Sequence, residues 1–155
     1  MRAVELVVLP GAKGRLQESV NLERQVVMKL RIRGNSLRLR LTVSEVEAFG
    51  KSGEVSDHID LGVGQGSRLT YTLAASDEVG QVLTGFRDNR IIVTVPIQTA
   101  RSWVENEDVG FTAKTRTADK TDLDILIEKD FACLKTRAGE DDSDTFPHPQ
   151  AKAAC

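Results

Sequence analysis

The sequence predicts a mainly β (α+β) fold, a compact antiparallel or mixed barrel or sandwich of about seven short strands with two short helices. Three observations carry this expectation. Apolar and polar residues alternate with a period of two over much of the segment from Met28 to Leu134. Gly-Asn and Asp-Asn pairs stand between such runs, where hairpins turn. Helical spacing appears only in short stretches, and no long helix alternates with the strands as a doubly wound α/β fold requires.

Residues 1–27 differ in pattern from the rest of the chain. Pro10, Gly11 and Gly14 interrupt them, and Leu16 to Val27 has weak helical periodicity. Met28 stands directly before the first clear strand, so the domain is expected to begin there. The preceding segment is then an N-terminal appendage, or an extra edge strand formed by Val4 to Leu9. In the first hairpin Leu30 and Ile32 alternate with Lys29, Arg31 and Arg33. Beyond Gly34-Asn35, Leu37, Leu39 and Leu41 alternate with Arg38 and Arg40. A two-residue loop pairs Ile32 with Leu37, Arg31 with Arg38, Leu30 with Leu39 and Lys29 with Arg40. All the apolar side chains then share one face and all the basic ones the other, and a one-residue slip would spoil both.

Thr42-Val43-Ser44-Glu45 has capping-box spacing, and Val43, Val46 and Phe49 come next at helical intervals, with Gly50 as the expected stop. Val55 to Leu61 and Arg68 to Ala74 read as strands. Val82 to Phe86 and Arg90 to Val95 flank Asp88-Asn89 as a second hairpin, pairing Phe86 with Ile91 and Thr84 with Val93. Pro96 suits a first helical turn, and Ile97, Ala100, Trp103 and Val104 form one apolar helical face. Trp103 is expected to be buried and Phe49 partly so. Val109 to Lys114 and Leu123 to Phe131 complete the strands. Beyond them residues 135–155 form an acidic, Pro-containing tail that is mobile or lies across the surface. No internal sequence repeat is visible.

Composition narrows the function classes. The 155 residues suit one domain, here 28–134, and 40% hydrophobic with 28% charged residues is a globular balance. A formal net charge of −2 gives no overall attraction to nucleic acid, and 5% aromatic residues offer little for base stacking. Cys133 and Cys155 are the only cysteines, which points to a reducing, cytoplasmic compartment. No apolar run approaches the ~20 residues of a membrane span, so a soluble protein is expected.

The short motifs resolve into ordinary structure. Gly50-Lys51-Ser52 has the ending of a phosphate-binding loop, but Glu45 stands where the first glycine is needed. Gly62-x-Gly64-x-Gly66 is succeeded by a strand and not by a helix, so no helix N-terminus awaits a pyrophosphate. His58 and His148 lack metal-ligand spacing with each other or with the cysteines, and Glu140, Asp141, Asp142 and Asp144 lack the order of a calcium loop. No metal and no cofactor is expected.

The opening Lys29-Leu30-Arg31-Ile32-Arg33-Gly34-Asn35-Ser36, continuing through Leu37 to Leu41 and Thr42 to Val46, resembles that of a family of small uncharacterised bacterial proteins. Val109-Gly110-Phe111, Glu128-Lys129-Asp130-Phe131-Ala132-Cys133-Leu134 and the later Glu140-Asp141-Asp142 and Phe146-Pro147 resemble it as well. The resemblance runs from Met28 to about Pro149. It implies no activity, ligand or catalytic residue.

The candidate site is the basic hairpin face of Lys29, Arg31, Arg33, Arg38 and Arg40. Like charges directly opposed on neighbouring strands are unfavourable by ~0.2–1 kcal/mol per pair, so the face calls for a compensating factor. Three are open: internal neutralisation by Asp122, Asp124, Glu128 or the acidic tail, which is the expected one; an external anionic ligand; or solvation above the aliphatic stems. The partner is unknown, and the expected function is that of a small non-enzymatic binding or interaction domain. The alternative is a small enzyme acting on an anionic, phosphorylated substrate clamped by arginines such as Arg31, Arg38, Arg40 and Arg90.

Overall fold

A computed structural model describes residues 28–132 and 142–150. The expectations for residues 1–27, for Cys133 and Cys155, and for Glu140 and Asp141 fall outside them. Among the described residues eight strands and two α-helices run in the order β1 (Lys29–Ile32), β2 (Ser36–Leu41), α1 (Val43–Ser52), β3 (Glu54–Asp60), β4 (Arg68–Ser76), β5 (Leu83–Arg87), β6 (Arg90–Pro96), α2 (Ile97–Glu105), β7 (Gly110–Arg116) and β8 (Asp122–Lys129). The strands form two four-stranded mixed sheets, ordered β1-β2-β8-β7 and β3-β4-β6-β5, and neither closes into a barrel. The mainly β architecture expected from the sequence is thus the observed one, as two open sheets.

Both expected hairpin registers are present. Lys29 faces Arg40, Arg31 faces Arg38 and Ile32 faces Leu37, while Thr84 faces Val93 and Phe86 faces Ile91. Gly34 takes φ 54° in the first turn, a region open to glycine, and Asp88 and Asn89 take φ 51° and 56° in the second. Alternation then fills one core from both sheets: Leu37, Leu39, Leu41, Ile125 and Ile127 from the first, Tyr71, Leu73, Val93 and Val95 from the second. Val46 and Phe49 of α1 and Ala100 and Trp103 of α2 join it. Trp103 is buried as expected, and Phe49 is buried more completely than expected, at 2% exposure.

Helix α1 starts at the expected capping box, with Thr42 and Glu45 bonded reciprocally. It does not stop at Gly50. The stop is Gly53, at φ 76°, whose N–H reaches Phe49 O at 2.8 Å. Gly50 faces Val104 of α2 instead, and its missing side chain lets the helices approach: a Cβ there would lie 2.9 Å from Val104 Cγ1.

The described part of the tail lies against the body. Phe131 bridges to Phe146, Ala132 N–H donates to Phe146 O at 2.9 Å, and Phe146 packs on the core. Asp144 meets the start of α1, accepting from the N–H and hydroxyl of Ser44 at 3.2 and 3.0 Å. Among the described residues no tail carboxylate pairs with the basic hairpin.

The chain folds as a structural repeat without a visible sequence repeat. The unit β1-β2-α1-β3-β4 matches β5-β6-α2-β7-β8, and exchanging the two units converts one sheet order into the other. The parallel joins are β2 with β8 and β4 with β6. The caps Thr42 and Pro96, the helix residues Phe49 and Trp103, and the strand residues Leu37 and Ile91 or Leu73 and Ile127 all stand at one and the same spacing along the chain. Phe49 and Trp103, like Leu73 and Ile127, are buried alike without being identical, because different large apolar side chains can fill equivalent core sites.

Candidate functional site

The outer face of the first sheet carries the polar half of each alternating strand. Lys29, Arg31 and Arg33 come from β1 and its turn, Arg38 and Arg40 from β2, Asp122, Asp124, Leu126 and Glu128 from β8, and Thr112, Lys114 and Arg116 from β7. The five basic residues expected to share one face of the hairpin stand in the register that expectation requires. The cations of β7 carry no local signal of their place, because only the β7–β8 pairing brings them alongside.

The charges are neutralised unevenly. Glu128, nearly buried, accepts a hydrogen bond from Arg40 Nε and is ion-paired with Arg38 at 3.3 Å. Lys29 Nζ lies 2.7 Å from Oδ2 of the buried Asp130. Asp124 pairs with Lys114 and Asp122 with Arg116, each at 3.3 Å. Of the three acids expected to neutralise the hairpin, only Glu128 does so; the other two serve β7. Arg31 and Arg33 form no ion pair among the described residues.

These two arginines open onto a groove of about 380 Å³ that they line with Ser36, Arg38, Thr112 and Asp124. The turn that presents Arg33 is tied down. Arg33 and Ser36 exchange backbone hydrogen bonds at 3.2 Å, Ser36 Oγ donates to Arg33 O at 2.7 Å, and Asn35 bonds both to Asp122 O and, through its own carbonyl, to Asp124 N–H at 3.1 Å. Arg90 begins β6 in the other sheet and does not join this set.

The structural repeat shows that the fold does not require this basicity. The positions equivalent to Lys29, Arg31, Arg38 and Arg40 are Leu83, Gly85, Ile92 and Thr94 in the second sheet, and only Arg33 has a basic counterpart, Arg87. One scaffold thus carries a row of basic residues on one outer face and, on the other, mixed charges that include Glu54, Asp60, Arg68, Arg87 and Arg90.

The groups with the largest titration shifts stand elsewhere. Burial, with a smaller contribution from the Asp57 charge, raises Glu45 from 4.5 to about 7. Burial and Asp57 push Tyr71 up to about 12; its hydroxyl donates to Met28 O at 2.8 Å and stands 3.4 Å from Asp57 Oδ2. The sequence marked Glu45 as a cap, but only the fold brings Asp57 and Tyr71 to it. A carboxyl raised in the folded state binds its proton more tightly there than when unfolded. Its contribution therefore favours the fold below pH 4.5 and is lost as pH rises through about 7. Glu45 is partly exposed, and solvent screening reduces the effect to about 1–2 kcal/mol. Glu45→Gln retains the capping geometry without the charge. It should match the wild type near pH 4 and be more stable by that amount at pH 8, measured by urea unfolding at both. An equal penalty at the two values would sink this account.

His58 is exposed, 3.9 Å from Asp60, and His148 Nδ1 accepts from the Gln150 N–H at 3.1 Å. No group of His, Cys, Asp and Glu with the geometry to hold a metal occurs among the described residues. None of the described helices is long and apolar enough to cross a membrane.

The fold and site define a small two-sheet mixed-β domain with one basic face. The chain belongs to the family of unknown function DUF7009, which matches residues 28–150. This agrees with the resemblance noted in the sequence and begins at the same methionine. Comparison with curated proteins and with solved structures returns no match.

Proposed function

We propose that the protein is a non-enzymatic binding domain whose first sheet captures a small anionic ligand in the groove at Arg31, Arg33 and Arg38. One observation carries the reading. Every other cation of that face has a carboxylate partner, and Arg31 and Arg33, which line the groove, have none among the described residues. Guanidinium groups bind phosphate and carboxylate oxygens through paired, charge-assisted hydrogen bonds. The groove walls carry no aromatic side chain on which a base could stack, which favours a compact phosphate-like anion over single-stranded nucleic acid. The cytoplasm is the compartment that the two cysteines of the sequence suit best.

Inorganic tripolyphosphate, titrated calorimetrically at two salt concentrations, tests this. Binding should weaken as salt rises. Arg31→Gln with Arg33→Gln should reduce affinity by at least roughly tenfold. That double variant should also hold its stability within about 0.5 kcal/mol, because neither side chain is ion-paired. Arg38→Gln should destabilise more, since it takes one partner from Glu128. If the double variant binds as the wild type does, the groove is not the site. Tighter binding of a short RNA than of tripolyphosphate would assign the face to nucleic acid instead.

The enzymatic alternative has one feature in its favour: Asp124 shares the groove with the arginines. Release of phosphate from a phosphate monoester, lost in Asp124→Asn, would support it.

A further inference from the structure

Lys129 ends β8 on the strand face that points into the core, in line with Ile125 and Ile127, and is 5% exposed. In the structural repeat its equivalent is Ala75. The two residues make matching backbone bonds, Lys129 N–H to Val109 O and Ala75 N–H to Gly53 O, each at 2.8 Å. A methyl group therefore satisfies the fold at this place. An ammonium is costly to bury unless it is compensated, so its presence calls for a reason that the scaffold does not supply.

The compensation visible in the structure is partial. The amine donates one hydrogen bond among the described residues, to Asn106 O at 2.6 Å, and has three protons to donate when charged. It lies 5.7 Å from the ring centre of Trp103 and 5.6 Å from that of Phe146, at cation–π distance from both. Beyond it opens a cavity of about 420 Å³, walled by Val109, Phe131, Phe146, Pro147 and Pro149, with Glu107 at its rim. That is the size and the mainly apolar lining of a small-molecule site, with Asn106, Glu107 and Lys129 as its polar members. The cavity beside Ala75 in the other half, about 240 Å³, is built differently, between α1 and α2, with Lys51 and Arg101 in its lining.

We propose that this cavity binds a small monocarboxylate with an apolar body, the carboxylate received by Lys129 Nζ and the body held by Phe131, Phe146 and the prolines. A carboxylate accepts from the remaining ammonium donors and adds to the attraction that the Asp108 and Glu107 charges exert on the amine, whereas a purely apolar occupant would leave those donors unmet. The acidic Glu107 and the neighbouring Asp108 disfavour a dianion, which separates this site from the phosphate-type groove on the first sheet. Asp108 is exposed and accepts from Asn106 Nδ2 at 2.7 Å, so water screens its repulsion of a single carboxylate.

Octanoate and its neutral analogue octanamide, titrated into the full chain, test the proposal. The protein's single tryptophan reports on the site directly, because its ring flanks the amine. Octanoate should give a saturable change in Trp103 fluorescence, with matching heat by calorimetry. Octanamide should bind at least roughly tenfold more weakly, as should octanoate to Lys129→Met, since each comparison removes a charge-assisted contact. Arg31→Gln with Arg33→Gln should leave octanoate binding unchanged, so the two sites can fail separately. The absence of a saturable response, equal affinity for octanamide, or full retention of binding in Lys129→Met would each overturn the assignment. Should Lys129→Met fail to fold, the octanoate–octanamide comparison on the wild type decides alone.

Discussion

Trp103→Ala should lower stability by about 3–5 kcal/mol, the range of large aromatic truncations in a closed core. Trp103 is 3% exposed and stands at the junction of three elements. Its ring meets Phe49 of α1 edge-on at 6.4 Å and Phe111 of β7 at 5.6 Å, and Lys129 lies over it. Removing the ring opens a void that backbone elements held by two sheets cannot close. The indole N–H is buried without a hydrogen-bond partner among the described residues. Trp103→Phe therefore forfeits volume but no hydrogen bond, and should cost much less than the alanine variant. Urea unfolding monitored by circular dichroism measures both, because the variants lack the fluorescent reporter. A loss below about 1 kcal/mol in Trp103→Ala would be that of a surface position and would contradict the packing.

Gly110→Ala should also be strongly destabilising, by about 1–3 kcal/mol or more, as overpacked sites are. A Cβ built on Gly110 meets Ile127 O at 2.3 Å, Glu128 Cβ at 2.8 Å and Glu128 Cα at 2.9 Å. Two of these belong to backbone, which cannot rotate aside. The start of β7 would have to leave β8, and with it would move Glu128, the anchor of Arg38 and Arg40. The control is Gly85→Ala in β5, where a Cβ meets nothing within 4 Å and φ is not positive. That variant should be neutral or slightly stabilising, because alanine restricts the unfolded chain more than glycine does. Equal melting of the two variants would show that the close approach at Gly110 is not real.

The hairpins were legible in the sequence because their determinants are local. Period-two alternation on both sides of Gly34-Asn35 admits one register, and the strand pairing has it. The second hairpin at Asp88-Asn89 and the capping box at Thr42 and Glu45 are equally local. Trp103, on an apolar helical face, could only point inward. Where a local signal misled, expectation and structure part: Gly50 was expected to stop the helix, which runs on to Gly53, and the contact with Val104 decided what Gly50 is for.

What the sequence by itself determined is the set of strands and helices, the register within each hairpin and the collection of five basic side chains on one face. What only the tertiary structure decided is how the hairpins join. The parallel pairings of β2 with β8 and β4 with β6 link segments far apart in the chain. Any apolar alternating strand offers the same ladder of backbone donors and acceptors, so no local residue pattern names the partner. Those joins decide the charge balance of the basic face. They set Glu128 beside Arg40, give Asp122 and Asp124 to the cations of β7, and leave Arg31 and Arg33 without a carboxylate among the described residues. They also bring the second half of the chain onto the topology of the first. That comparison shows Arg31, Arg38 and Lys129 to be additions to the scaffold and not requirements of it, because Gly85, Ile92 and Ala75 fill the equivalent places with no charge to compensate.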